Sequence, residues 1–288
     1  VLSDTVKIIE CPRDAMQGIK EFIPTQKKIE YINQLLKVGY QAIDFGSFVN
    51  HDIIPQMADT AEVVEGLELS NTHSELIAII ANERGAMHAC RFPQIHSLGF
   101  PFSVSETFQK RNANSTIAEA VERVKHIREL CASSNKELII YISMGFGNPY
   151  GDPYSPQIVE EWIGQLEKLS VKTFMLSDTV GVADPGIIHY LFSTLIPAFP
   201  HLEIGAHLHT APHNWRVKID AAYRNGCRRF DAAIKGYGGC PMAKDDLLGN
   251  MPTENLVNYF TEEQLGTGFN IHAFEESLRM ANQVFPLH

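Results

Sequence analysis

Short apolar runs of strand length alternate with amphipathic stretches of helical period eight times along this 288-residue chain, and that alternation restricts the fold more than any other feature. Repeated βα units build a parallel sheet, because a strand that returns through a crossover helix re-enters in the direction of its predecessor. The expected strands lie at 5–11, 42–46, 76–82, 94–99, 138–144, 173–178, 203–209 and 229–234. Over 27–38, Ile29, Ile32, Leu35 and Leu36 form one apolar stripe, and Gly39 stops the helix. Thr116 and Glu119 have the spacing of a capping box. Ser155-Pro156 and Asp184-Pro185 read as N-caps followed by proline at the first helical position, and Asn225-Gly226 closes the helix after the seventh strand. Eight units in this length predict one α/β domain over 1–288, a closed TIM (β/α)8 barrel. Apolar spacings at 255–260 and 271–284 add a last barrel helix and a C-terminal helical extension. A doubly wound sheet is the alternative, but no GxGxxG follows the first strand.

A barrel of this kind gathers chemistry at the C-terminal ends of its strands, and three of those ends are marked. His207 and His209, separated by one residue on the seventh strand, would aim both imidazoles at one face. Such a pair either starts a metal site or fills a polar patch inside a sheet. Arg13 and Asp14 follow the first strand. Asp14 reads as a third ligand, a helix N-cap or half of a surface ion pair with Arg13. Arg13 itself suits a developing oxyanion or enolate, or is a structural partner of the acid. Asn250, after Gly249, offers either a neutral oxygen ligand or an ordinary turn. Two imidazoles, one carboxylate and an amide suit Mg²⁺ or Mn²⁺ better than a thiolate-rich zinc site would. Cys240 follows three glycines within five residues, in a loop able to bring backbone close to a ligand. Asp44 and Asp178 end the second and sixth strands, where each could react or could orient a ligand or Arg13. The Gly- and Pro-rich stretch 145–154 reads as a rim loop carrying Asn148 and Tyr150, and Lys110 with Arg111 reads as a phosphate contact or a solvated pair.

Composition narrows the partners. A formal charge of −10 without a basic run argues against nucleic acid. No apolar run reaches the roughly 18 residues of a membrane span, so no membrane partner is expected. Five widely spaced cysteines, odd in number and without a CxxC pair, fit reduced thiols in a cytoplasmic compartment, or in an organelle matrix if a leader has been removed.

Collinear elements make the chain resemble the 3-hydroxy-3-methylglutaryl-CoA lyases, metal-dependent carbon–carbon lyases of a barrel superfamily. They are Pro12-Arg13-Asp14, Ser47-Phe48-Val49 with Pro55-Gln56-Met57, the run from Ser177 to Val182, His207-x-His209, the Gly-Tyr-Gly-Gly-Cys-Pro loop ending at Pro241, and Gly249-Asn250. The Arg-Asp and His-x-His elements belong to the whole superfamily, whereas the Gly-Gly-Cys-Pro loop is closer to the lyases. The resemblance implies a divalent cation on Asp14, His207, His209 and Asn250. It implies catalytic roles for Arg13 at the enolate, for Cys240 in proton transfer, and for Asp44 and Asp178. It also implies substrate contacts from Gln17, Ser47 and Asn148, an acyl-CoA substrate and a homodimer. Three positions depart from the pattern: Asp44 stands for a glutamate, Thr210 for an aspartate, and Ala15-Met16 for Gly-Leu. These leave open a lyase or aldolase for another 3-hydroxyacyl-CoA or a hydroxy-oxo acid, and a barrel that binds a metabolite without turning it over.

Overall fold

The structure is a computed structural model and describes residues 5–238 and 248–285. Parallel strands β1 (Lys7–Glu10), β2 (Ala42–Phe48), β3 (Glu75–Ile80), β4 (Ser97–Ser103), β5 (Glu137–Ser143), β6 (Thr173–Ser177) and β7 (Glu203–His207) pair in sequence order. A two-residue strand, β8 (His209–Thr210), stands outside the ring; β9 (Arg229–Ala232) is the eighth stave and pairs back onto β1, closing the barrel. The short β10 (Gly249–Asn250) pairs antiparallel with β8. Helices α1 (Pro12–Gln17) and α2 (Thr25–Leu35) follow β1, α3 (Thr60–Glu65) follows β2 and α4 (Glu83–Ala89) follows β3. Next come α5 (Glu106–Ala113) and α6 (Ile117–Ser133) after β4, α7 (Pro156–Glu167) after β5, α8 (Pro185–Ala198) after β6 and α9 (Trp215–Arg224) after β7. α10 (Thr253–Glu262) completes the last unit, and α11 (Ile271–Val284) packs on α2.

Strand alternation sorts the side chains into two cores. Ile9, Cys11, Ala42, Ile77, Ile139, Tyr141 and Met175 form a small cluster filling the inside of the barrel. Their neighbours Ile8, Ile43, Leu76, Ile140, Phe174 and Phe230 face the other way and join the larger core beneath the helices. Burying one such side chain is worth about 1.5–3 kcal/mol, so the outer layer supplies most of the stabilisation and the inner one is free to carry polar residues at its upper end. The capping expectations are met: Thr116 and Glu119 form the reciprocal box, and the Ser155 and Asp184 side chains accept from Ile158 and Ile187.

Strand bounds shift by up to four residues from the sequence reading, and two of the shifts have a visible cause. β4 runs past Gly99 to Ser103 on its ladder with β5, which continues to Ser103↔Ser143 after the β3–β4 ladder ends at Ile79↔Gly99, so Pro101 falls where only β5 lies alongside and a missing amide is tolerated. The seventh strand stops at His207, and His209 belongs to the β8–β10 ribbon instead.

Glu10 fastens the last unit to the first. Its side chain points out of the barrel, where one oxygen accepts the Ile234 N–H at 2.8 Å and the other lies 2.5 Å from the Thr253 hydroxyl. Complete burial pushes its carboxyl up to about 8 from an ordinary 4.5, against the pull of those donors. The folded value is the higher one, so the stability contributed by the protonated group is present below 4.5 and is lost as pH rises through about 8. Glu10→Gln keeps both partners and removes the titration. Urea unfolding at pH 5, 7 and 9 should show the variant gaining on the parent by roughly 1.4 kcal/mol per pH unit across that window; a difference independent of pH would refute the assignment.

Candidate active site

The chain is directed to one end of the barrel by short, well-defined turns. Pro12 starts α1 directly after β1, which sets Arg13 and Asp14 on its first turn at the mouth. Cys11 occupies the N-cap position without a capping hydrogen bond, so Asp14 is not the cap. Nor is the Arg13–Asp14 pair a surface one, since both residues are buried. Ala15 lies inside α1 and is not among the residues with positive φ, so this position places no demand for glycine.

Arg13 is held on two sides. Its Nε and Nη2 bond the Asp44 carboxylate, at 3.1 and 2.6 Å, while Nη1 donates to Asp14 at 3.2 Å and to Gln17 Oε1 at 3.0 Å. Gln17 in turn donates to Asp14 at 2.6 Å. Burial pushes the Asp44 carboxyl up to about 6, with the Arg13 guanidinium pulling it back. For Asp14 burial also opposes ionisation, but Arg13, His207, His209 and a bond from Asn250 together hold it below its usual range.

The histidines face these acids from β7 and β8. His207 Nε2 stands 3.8 Å from Asp14 Oδ2, too far for a hydrogen bond and close enough for both to reach one ion. Its Nδ1 lies 3.0 Å from Asp231 Oδ2, a carboxylate on β9 that fixes the ring. The two imidazole centroids are 5.5 Å apart. The β8–β10 ribbon pairs Asn250 with His209, and Met251 N–H bonds Leu208 O at 3.2 Å, so the amide comes to the site as the cross-strand partner of a histidine. Asn250 Nδ2 donates to Tyr237 O at 2.9 Å. Gly238, at φ +86, passes so close that a Cβ there would lie 2.6 Å from Asp14 O and 2.8 Å from Asn250 Nδ2.

Ligand atoms of Asp14, His207 and His209 lie within 4.8 Å of one another. His209 Nδ1 is buried without a hydrogen-bond partner among the described residues. Burial, then the neighbouring His207, push the His209 imidazole down to about 4, so it is neutral and able to ligate. One ionised carboxylate and a neutral imidazole beside a second imidazole fit a divalent cation. Cys11, His207 and Asp231 make a second group of the same compactness. There, however, burial and then the surrounding carboxylates push the Cys11 thiol well up, and Asp231 is engaged with the His207 ring.

Ser47 is buried near the end of β2, its hydroxyl without a partner among the described residues. Asp178 sits just past β6 but is turned away from the mouth, onto Lys218 of α9 at 2.9 Å. Asn148 shapes its own loop, accepting from Tyr150 and Asp152 N–H and donating to Asp152 O. Lys110 pairs with Glu106, and Arg111 lies over Tyr150 at 4.8 Å. Cys240 lies outside the described residues. Sequence reading missed Asp231 and Lys218; the alternation of β9 could have pointed to Asp231, two residues from the inward Arg229, but no local signal marks Lys218.

For His207, burial works against the cation, but the Asp231 bond and charge, with Asp14, hold the imidazole above its usual range. A metal must displace that proton, so affinity should climb with pH until His207 is neutral. Asp231→Asn removes the main raising cause. The midpoint of Mn²⁺ binding, followed by electron paramagnetic resonance from pH 5.5 to 8.5, should move to lower pH in this variant; an unmoved midpoint would contradict the coupling.

Comparison with known proteins matches nearly the full length of the chain. The HMGL-like family model matches residues 5–281. The cytoplasmic 3-hydroxy-3-methylglutaryl-CoA lyase of Rattus norvegicus is 33% identical over 277 residues, covering 96% of this chain and 80% of that protein. An HMG-CoA lyase from Acinetobacter baumannii, solved with coenzyme A and 3-methylmalate, superposes with a TM-score of 0.90 at 30% identity, over 99% of this chain and 92% of the other. The HMG-CoA lyase from Brucella melitensis gives 0.89 at 29% identity, over 97% and 98%. A barrel with these strand-end residues, matched from its first stave to its C-terminal helix, belongs to the HMGL-like family.

Proposed function

We propose that this chain is a divalent-metal-dependent carbon–carbon lyase that cleaves 3-hydroxy-3-methylglutaryl-CoA to acetyl-CoA and acetoacetate, with Mg²⁺ or Mn²⁺ held by Asp14, His207, His209 and Asn250. The observation that carries the reading is the convergence of the Asp14, His207 and His209 donors beside a buried arginine, in a chain of the HMGL-like family. The solved relative with coenzyme A supports an acyl-CoA substrate. A cavity of about 550 Å³ among the described residues runs from Asn250 past Thr210, Trp215, Lys235 and Tyr237; it adjoins the site through Asn250 and is not lined by Arg13, Asp14 or the two histidines.

Bound there, the cation supplies Lewis-acid charge to the oxygens of the substrate. Cleavage passes the proton of the tertiary hydroxyl to a general base at the site, the electrons of the O–H bond form the new carbonyl of acetoacetate, and those of the C2–C3 bond pass to the departing acetyl-CoA as its enolate. Arg13 is the residue for that enolate: its charge is permanent, and the Asp44 fork on Nε and Nη2 fixes the plane of the guanidinium. Asp44, a methylene shorter than the glutamate of the lyases, still reaches Arg13 with both oxygens, and so acts by orienting it. Gln17 steadies both Arg13 and Asp14. Cys240 returns a proton to the enolate carbon.

Acetyl-CoA release from 3-hydroxy-3-methylglutaryl-CoA should be abolished by chelation and restored by Mg²⁺ or Mn²⁺; metal-loaded, folded protein that releases none would direct attention to another hydroxyacyl substrate. Arg13→Lys cannot reproduce the fork and should lower kcat by about 10²-fold or more. Cys240→Ala should slow turnover about 10²-fold with metal affinity unchanged. Asp14→Ala should instead lose the metal, and retained affinity would defeat its assignment.

A further inference from the structure

We propose that Lys218 is a positioning residue for His209, holding the second imidazole of the metal site through a buried ion pair with Asp178. The inference rests on the reading of His209 as a ligand. Lys218 is carried by α9, behind the barrel wall, and both it and Asp178 are almost completely buried, at 2% and 1% exposure. Its Nζ donates to Asp178 Oδ2 at 2.9 Å and to the His209 carbonyl at 2.8 Å. Asp178 is itself locked: Oδ1 accepts the Ala183 N–H at 3.1 Å, and its own N–H bonds His207 O at 2.9 Å.

His209 needs such a support. The regular strand ends at His207, and the two-residue β8–β10 ribbon is all the ladder that His209 has. A carbonyl pinned to Lys218 fixes the peptide plane on the side away from the mouth, and with it the direction of the imidazole. An ammonium taken out of water is expensive, and an apolar pair of similar volume would be as stable or more so, so stability alone is a poor reason for it here. The chain holds a second pair of the same design that bonds none of the proposed ligands: Lys28 bonds Asp59 at 2.7 Å and the Gln56 carbonyl, in the loop after β2. That pair supplies the control.

Mn²⁺ affinity and ¹⁴N electron spin echo modulation would be measured on the wild type, Lys218→Met, the charge-balanced double variant Asp178→Asn/Lys218→Met, and Lys28→Met. Both Lys218 variants should bind Mn²⁺ at least about tenfold more weakly with reduced imidazole modulation, while Lys28→Met keeps both. If Lys218→Met does not fold, the double variant decides. A folded double variant with wild-type affinity and modulation overturns the proposal, as does an equal loss in Lys28→Met, or failure of both Lys218 variants to fold. Wild-type protein that binds no Mn²⁺ sinks the metal reading itself.

Discussion

A guanidinium buried between two carboxylates organises this end of the molecule. Arg13 binds Asp44 through two nitrogens and Asp14 through a third, so residues from the first two staves are tied by charge as well as by the β-ladder. Neither acid could remain ionised so deep in the protein without it, and the guanidinium could not be buried without them. The arrangement also aims the acids differently. Asp44 is spent on Arg13, whereas Asp14 keeps Oδ2 directed to His207.

That tie works because the barrel brings distant chain segments to one rim. Asp14 and Asn250 are 236 positions apart, yet Gly238 passes between them with no room for a side chain. Glu10 secures the same region from outside, bonding one residue at the start of the β9 to β10 connection and one just after β10. The residues proposed to hold a cation therefore come from α1, from the ends of β7 and β8, and from β10, each placed by an element packed on the core. A site built in this way has little to gain from flexibility in its described parts.

The fold was largely legible because its signals are local and repeated. Apolar strands, the Thr116 box and the Ser155 and Asp184 caps each depend on a few neighbouring residues. Strand ends were less so: β4 continues through Pro101 on its ladder with β5, which no local pattern records. In the site, His207 and His209 were found by their spacing, but the continuous strand expected to align them is broken, and the rings meet through the pairing of β8 with β10. Asp178 was legible as an acid at a strand end. Its direction was not: alternation from Met175 and Ser177 turns it outward, and only the packing of α9 shows that Lys218 is waiting there.

Charge balance connects the two faces of the site. Asp14, Asp44, Asp178 and Asp231 are all buried around it, with Arg13 and Lys218 as the cations directly bonded to them. Among the described residues, four acids against two directly bonded cations leave the centre short of positive charge. The structure relieves the shortage where it can, by holding the His207 imidazole above its usual range through Asp231 and Asp14 while His209 stays neutral. A divalent cation held by Asp14, His207 and His209, as proposed, would supply the missing charge in a pocket that two imidazoles, an arginine and a lysine also surround.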